Sequence, residues 1–194
     1  MNSQQNIEIK ASDKNRVCPP QNVSHFDNFL RPLVHNPRMI FGPYVKPGMK
    51  VLDVGCGKGF ASIGLARLVG EEGLVISADL QPEMLGMVEE RAISEGLSDR
   101  IKLHQCKADS IGLDEDLDFV VAFWMYHELP DGKSFLDELF SLLNPGGHLF
   151  LAEPKIHTSK GEFEEAVKET QKAGFVISKK PRIFFSRAVV LRKE

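Results

Sequence analysis

The chain has 194 residues, 42% hydrophobic and 26% charged, a balance typical of one globular domain of ordinary size. Its 24 basic and 27 acidic residues give a net charge of -3, which offers no general attraction to a phosphate backbone, so we expect no nucleic acid partner. Three cysteines without a CxxC pair argue against a disulfide framework and against a zinc ribbon.

The beginning of the chain contains no strand pattern. Residues 1–16 are polar and lack the apolar stretch of a signal peptide or membrane anchor, so we expect a cytoplasmic protein with no membrane partner. Residues 23–36 carry apolar side chains at helical spacing, and a second short helix is predicted to begin at Pro37. We therefore expect residues 1–43 to form a tail and helical lid, in which His25 and Arg31 could meet a substrate. An ordinary surface helix with solvated charges is the alternative.

From residue 44 onward, short apolar runs alternate with amphipathic stretches, which predicts parallel strands joined by crossover helices. Residues 119–123 are apolar without alternation, as expected for a central strand covered on both faces. The predicted strands are 50–54, 74–78, 101–105, 118–124 and 148–152, and the predicted helices are 61–69, 82–95 and 133–143.

The remaining pattern completes the sheet. The turn at residues 144–147, Asn-Pro-Gly-Gly, is predicted to stop a helix and to lead into the fifth strand. A helix at 162–173 precedes two more predicted strands, 175–177 and 188–191, which could form an antiparallel hairpin. The sequence thus predicts an α/β fold, a doubly wound and mostly parallel sheet of seven strands with an antiparallel C-terminal strand, in a single domain over residues 1–194.

The most informative motif follows the first predicted strand. Asp53 is followed by Gly55, Gly57 and Gly59, and then a helix is predicted to begin. Glycines at alternate positions let the backbone turn sharply and approach a ligand closely. The spacing is GxGxG, whereas the dinucleotide fingerprint is GxGxxG, and Phe60 stands at the position of its third glycine.

This loop resembles the first motif of the class I S-adenosylmethionine-dependent methyltransferases, D/E-x-G-x-G-x-G. The resemblance implies a Rossmann-like fold in which the loop wraps the methionine part of the cofactor S-adenosyl-L-methionine. Asp53 would then lie near the cofactor's amino group. Cys56 is inside the loop, where a small residue is needed, so we expect it to pack there.

A second carboxylate ends the second predicted strand. Asp79 follows the last glycine by about 20 residues, the position at which a carboxylate can accept both ribose hydroxyls in nucleotide-binding sheets. By itself Asp79 does not separate adenosylmethionine from a nicotinamide cofactor. The resemblance implies that Leu80, Gln81 and Met84 line the adenine slot, and an ordinary core methionine is the alternative for Met84.

A third motif follows the third predicted strand. Ala108, Asp109 and Ser110 resemble the family's G/A-D-A/S motif, whose carboxylate takes the adenine amino group. Within the family, the sequence looks similar to the small-molecule type 11 or ubiquinone-biosynthesis-like group, some of whose members are described as arsenite methyltransferases. A small-molecule methyl acceptor is therefore expected.

The acceptor is expected beside the end of the fourth strand, where the resemblance places the sulfonium and where Phe123 would line the cofactor site. His127 could act as a general base, since an imidazole titrates near neutral pH, and Glu128 could assist it. For both residues, packing or capping is the alternative. Trp124, Tyr126 and Glu153 are predicted to line the acceptor pocket, with at least one of the two aromatic residues or Met125 in the core.

Other interpretations concern a metal site, an arsenite site and a different class of protein. The spacing of His127, Glu128, Glu153 and His157 fits no metal-ligand pattern, so we expect no metal. An arsenite site would need Cys18 and Cys106 to converge near the cofactor's sulfur, and the sequence gives no sign that they do. The alternatives to a methyltransferase are a non-catalytic module that binds the adenosyl cofactor and a nicotinamide-dependent oxidoreductase.

Overall fold

Residues 35–194 are described by a computed structural model, in which a seven-stranded sheet carries helices on both faces. The strands are β1 (Lys50–Val54), β2 (Leu74–Asp79), β3 (Ile101–Gln105), β4 (Leu117–Phe123), β5 (Leu143–Pro154), β6 (Phe175–Lys179) and β7 (Ser186–Lys193). The helices are α1 (Pro37–Phe41), α2 (Phe60–Val69), α3 (Pro82–Ser94), α4 (Gly132–Leu142) and α5 (Lys160–Lys172), with 3-10 turns at Ser98–Arg100 and Tyr126–Glu128.

The strand order across the sheet is β3-β2-β1-β4-β5-β7-β6. The first five strands are parallel, and β7 lies antiparallel between β5 and β6. This confirms the predicted α/β class, the seven strands and the antiparallel C-terminal strand. The order reverses between β1 and β4, and in open α/β sheets such a reversal opens a crevice at the carboxyl ends of the strands.

Two apolar layers cover the sheet. One face packs against α4 and α5, through residues such as Leu136 and Val167. The other face packs against α1 and α2, through residues such as Phe41 and Leu65. Strand β4 contributes Val120 to the first layer and Val121 to the second, so the predicted central strand is covered on both faces.

The main difference from the predicted elements is at the start of β5. The strand begins at Leu143, directly after α4, instead of after the turn at residues 144–147. Leu143 pairs with Leu117 and His148 pairs with Phe119, so residues 144–147 bulge out of the pairing between β4 and β5. Gly146 has φ +81°, which allows the backbone to make this excursion.

Only part of the predicted N-terminal tail and lid lies within the described residues. The predicted helix at Pro37 is confirmed, with the Asn36 side chain capping it by accepting a hydrogen bond from the Arg38 N–H. Asn36 has extended backbone angles, so the preceding predicted helix does not extend to residue 36. The rest of that helix, with His25 and Arg31, lies outside the described residues. Within residues 35–194, no helix is long and apolar enough to cross a membrane.

Helix α1 packs on α2 at a position where only a glycine fits. A Cβ added to Gly64 would lie 2.1 Å from the Cβ of Pro37, whereas one added to Gly86 in α3 would meet nothing within 4 Å. Both glycines are in helices. Alanine at Gly64 therefore tests packing against α1, whereas alanine at Gly86 tests helix propensity alone.

We predict that Gly64→Ala lowers the free energy of unfolding by about 1–3 kcal/mol, because the new methyl group overpacks the contact with α1. Gly86→Ala is expected to raise it by about 0.5–1 kcal/mol, since alanine favours an exposed helix. Urea unfolding of both variants measures the difference. Equal stabilisation by the two substitutions would show that α1 does not pack on Gly64.

Candidate active site

The glycine loop joins β1 to α2 in a left-handed backbone conformation. Gly55, Gly57 and Gly59 have φ values of +67°, +50° and +78°. A Cβ on Gly55 would lie 2.7 Å from the Cβ of Met125, which follows β4, so the loop and the end of β4 are in close contact. A Cβ on Gly57 would meet nothing within 4 Å. The loop therefore presents its backbone at Gly57 to open space, where a ligand can approach.

Asp79 ties this loop to the end of β2. Its Oδ2 accepts the N–H of Gly57 at 2.9 Å and its Oδ1 accepts the N–H of Gln81 at 3.0 Å. Burial raises the pKa of the Asp79 carboxyl, and the backbone N–H groups of Gln81, Gly57 and Leu80 act in the opposite direction. Each carboxylate oxygen can accept a second hydrogen bond, so Asp79 can hold the loop and still receive hydroxyl groups.

Asp53 is the other carboxylate of the loop. Its side chain is buried and its Oδ2 accepts the hydroxyl of Ser62, in the first turn of α2, at 2.6 Å. Ser62 was missed in the sequence, because a serine in an apolar helix gives no signal of such a partner. The bond fixes the orientation of Asp53 below the glycine loop.

The residues predicted for the adenine slot differ in exposure. Leu80 is among the exposed large apolar side chains, whereas Met84 is only 1% exposed. Gln81 is the N-cap residue of α3, and the Gln105 side chain donates to the Leu80 carbonyl oxygen at 3.3 Å. Leu80 thus offers an accessible apolar surface, while Met84 packs in the interior in this structure.

The loop after β3 contains the third predicted motif. The N–H of Cys106 bonds to the carbonyl oxygen of Asp79 at 2.9 Å, so this loop starts directly beside the end of β2. A turn closed by the Lys107 N–H and the Ser110 carbonyl oxygen, 3.0 Å apart, presents Asp109 and Ala108 at the surface. The three predicted carboxylates therefore lie at or after the ends of adjacent strands.

The end of β4 has an unusual backbone. Trp124 has φ +67°, a conformation that costs a non-glycine residue about 1–2 kcal/mol. Its N–H bonds to the Ala152 carbonyl oxygen and its indole N–H to the Ser186 hydroxyl, each at 2.8 Å. The ring lies against Phe123 and His35, with centroids 5.3 and 5.2 Å away. Phe123, predicted to line the cofactor site, is itself buried in this aromatic cluster.

The Tyr126 side chain packs between α4 and α5. The side chain is 8% exposed and packs in the core, and its hydroxyl donates to Glu169 of α5 at 2.7 Å. Burial, followed by the bond to Glu169, raises the pKa of Tyr126. The structure thus gives Tyr126 a packing role in place of the predicted substrate contact, since the 3-10 turn directs its ring toward α4 and α5.

His127 is joined to Glu153 across the ends of β4 and β5. Its Nδ1 lies 2.5 Å from Oε2 of Glu153, and the side chain remains 25% exposed. Burial of the ring lowers the pKa of His127, but the hydrogen bond and charge of Glu153, together with the charge of Glu128, outweigh burial and raise it overall. Glu153 was predicted to line the acceptor pocket, and the structure shows it as the partner of His127.

The cysteines do not form a reactive centre in the described part of the chain. Cys56 is buried and Cys106 is half-buried, and both are free thiols. Burial, followed by nearby carboxylates, raises the pKa of both thiols, to about 12 for Cys106. Cys18 lies outside the described residues. Among residues 35–194, no group of three or more His, Cys, Asp or Glu side chains is placed to hold a metal ion.

Comparison with known proteins identifies the family. A family model described as a methyltransferase domain matches residues 45–184. The chain belongs to the methyltransferase domain family. The match contains the glycine loop, Asp79, Asp109 and the His127–Glu153 pair, so the candidate site lies within the shared domain.

Individual relatives agree with this family. The ubiquinone/menaquinone biosynthesis C-methyltransferase UbiE of Cellvibrio japonicus is 36% identical over 110 residues, which are 56% of this chain and 44% of that protein. Methyltransferase GfsG of Streptomyces halstedii is 34% identical over 128 residues, 64% of this chain and 45% of that protein. The chain therefore spans less than half the length of these curated relatives.

A solved structure matches over a larger part. A SAM-dependent methyltransferase from Aquifex aeolicus superposes with a TM-score of 0.81 and 26% identity, covering 92% of this chain and 100% of that one. This likeness covers a larger share of both chains than the matches to UbiE and GfsG do.

The packing role of Tyr126 gives a direct test. We predict that Tyr126→Phe lowers the free energy of unfolding by about 1.5–3 kcal/mol, because Glu169 loses a hydrogen bond made to a charged group. The hydroxyl of Tyr44 has no hydrogen bond within residues 35–194, so Tyr44→Phe is a matched control with a smaller expected effect. Urea unfolding measures both. Unchanged stability of Tyr126→Phe would contradict the packing role.

Proposed function

We propose that this protein transfers the methyl group of S-adenosyl-L-methionine to a small-molecule acceptor. The observation that carries the proposal is the left-handed glycine loop held by Asp79 at the reversal of the strand order, within a chain of the methyltransferase domain family. When bound, the cofactor supplies a methyl group on a positively charged sulfur, from which a nucleophilic atom can displace it.

The residues present fit this group. The loop borders open space at Gly57, so backbone can approach a ligand there. Asp79 has acceptor capacity for ribose hydroxyls beyond its two backbone bonds. We assign the ribose to Asp79, the methionine part to the loop from Asp53 to Gly59, and the adenine to the surface between Leu80 and Asp109.

The remaining proposed cofactor contacts adjoin these groups or lie beneath them. Gln81, Ala108 and Ser110 adjoin the adenine surface in the chain, and Cys56 contributes loop backbone. Met84 and Phe123 are buried, so we propose that they support the site from below.

A small-molecule acceptor is supported by the names of the relatives and by the charge of the chain. UbiE of Cellvibrio japonicus is named a ubiquinone/menaquinone biosynthesis C-methyltransferase. The net charge of -3 does not favour a nucleic acid acceptor. We place the acceptor beside His127, with Glu128 and Trp124 at its border, and we expect the protein to act in the cytoplasm.

Ligand binding tests the proposal. Calorimetric titration with S-adenosylmethionine, S-adenosylhomocysteine and NAD is expected to show binding of the two adenosyl ligands and none of NAD, and Asp79→Ala is expected to abolish most of it. A methyl-release screen with small phenols, amines and thiols then addresses the acceptor. Binding of NAD alone would overturn the assignment in favour of an oxidoreductase.

A matched pair of glycine variants tests the loop itself. Gly57→Ala and Gly48→Ala each place a methyl group in open space at a left-handed backbone position, which costs about 1 kcal/mol of stability in both. Gly48 precedes β1, at the opposite end of that strand. We predict that only Gly57→Ala weakens S-adenosylhomocysteine binding, by at least about tenfold, since its methyl group enters the ligand's space. Equal affinity of the two variants would remove Gly57 from the site.

A further inference from the structure

Glu153 is a buried carboxylate surrounded by hydrogen-bond donors. It is the penultimate residue of β5 and is 1% exposed. The N–H of Tyr126 donates to Oε1 at 3.0 Å, and the N–H of His127 donates to Oε2 at 3.3 Å. The hydroxyl of Thr158 donates to Oε2 at 3.1 Å, in addition to the contact with His127 Nδ1 at 2.5 Å. Removal of this carboxylate alone would leave several buried donors without an acceptor.

The donors around Glu153 determine which ring nitrogen of His127 carries the proton. Because Glu153 acts as the acceptor toward two backbone N–H groups and a hydroxyl, the network assigns the proton of the short contact to Nδ1. In the neutral ring Nε2 is then the atom with the free lone pair. The backbone of His127 is bonded to the same carboxylate, so ring and backbone are fixed together.

The His127 ring is partly exposed, and two of its sides are occupied by other side chains. One edge faces buried Glu153, and one face lies parallel to the exposed ring of His157, with centroids 5.7 Å apart. Two further charged groups lie near the pair. Glu128, on the same turn, has Oε1 3.9 Å from Nε2, and Arg187 of β7 donates to the Thr158 carbonyl oxygen at 2.9 Å.

The turn that carries His127 lies beside the proposed cofactor site. His127 follows Met125 by two residues, and Met125 is the side chain that a Cβ on Gly55 would meet. The turn Tyr126–Glu128 therefore stands beside the glycine loop, at the reversal of the strand order.

We propose that Glu153 is a positioning residue that holds the Nδ1–H form of His127, so that Nε2 receives a proton from the methyl acceptor. The acceptor is then a molecule that carries a proton on the atom to be methylated, and we take it to be a phenol, since a phenolic hydroxyl, with a pKa of about 10, loses its proton to an imidazole more readily than an alkyl alcohol does. This inference rests on the proposed function and names the substrate class of the same site.

The proposed step moves a methyl group to the acceptor and a proton to His127. The acceptor oxygen forms a bond to the methyl carbon while its O–H bond breaks and the proton moves to Nε2. The carbon–sulfur bond that breaks leaves its electron pair on sulfur, which becomes neutral. The resulting imidazolium lies against the Glu153 carboxylate and later releases its proton to solvent.

Nuclear magnetic resonance of 15N-histidine-labelled protein tests the positioning role without an acceptor. We expect the wild-type His127 to show the Nδ1–H form and to titrate above its ordinary pKa of 6.5. In Glu153→Gln the pKa is expected to fall below that value, because burial then dominates, and the Nδ1–H preference is lost. His148 is an internal reference, since its pKa is lowered by burial and by Arg192 and Lys179.

Glu138→Gln is the matched control variant. Glu138 also accepts two backbone N–H groups, those of Ile111 and Gly112, but it does not contact a histidine. It is expected to leave the His127 signals unchanged. An Nε2–H form of His127 in the wild type would overturn the proposal even if Glu153→Gln failed to fold.

Kinetics with two probes test the acceptor class. With catechol, Glu153→Gln is expected to lower kcat at least about tenfold with little change in KM, and to move the acid limb of the pH profile to lower pH. With pyridine, whose nitrogen carries no proton, the variant is expected to match the wild type. An equal loss with both probes would overturn the role in proton transfer.

Ligand binding and the His127 pKa together distinguish failure of the proposed function from failure of the positioning role. If S-adenosylhomocysteine does not bind the wild type, the proposed function fails regardless of the histidine signals. If it binds wild type and Glu153→Gln equally, while the His127 pKa does not differ between them, the positioning role fails and the proposed function stands.

Discussion

The two central strands, β1 and β4, are covered by apolar layers on both faces, and this burial confines polar chemistry to their ends. Within a strand, a charged side chain would be desolvated without a partner. At the carboxyl ends of the neighbouring strands β2 and β5, loop backbone supplies partners: Asp79 receives the N–H groups of Gly57 and Gln81, and Glu153 receives those of Tyr126 and His127. Each carboxylate thus holds a neighbouring loop in place through hydrogen bonds. The site is a set of loops tied across strand ends by buried carboxylates.

The site has two halves of different character. On the proposed cofactor side, the backbone dominates, because left-handed glycines shape the loop and its N–H groups are bonded to Ala78, Cys56 and Asp79. On the proposed acceptor side, side chains dominate, and the strained Trp124 is held by bonds to Ala152 and Ser186. Met125 joins the halves where it lies against Gly55. Strain at this junction agrees with the tendency of unfavourable backbone to occur at functional sites.

The sequence was informative where one local pattern decides the structure. The apolar run at 119–123 predicted a central strand, and the bounds of β1 and β3 were predicted without error. The start of β5 was missed because Asn-Pro-Gly-Gly has turn chemistry that a bulge also uses. The direction of the Tyr126 ring depends on a short 3-10 turn and could not be read from aromatic content. The bond between His127 and Glu153 joins residues 26 positions apart, through strand pairing that no single segment encodes.

The position of β7 affects the order in which the sheet can form during synthesis. This strand is synthesised after β5 and β6, yet it must enter the sheet between them. It supplies Ser186 to Trp124 and Arg187 to the carbonyl of Thr158. On the ribosome, β1, β2 and β3 can therefore assemble the glycine loop and Asp79 early, whereas the surroundings of Glu153 stay incomplete until β7 has emerged. The parts of the candidate site therefore become complete in a fixed order, with the surroundings of Glu153 last.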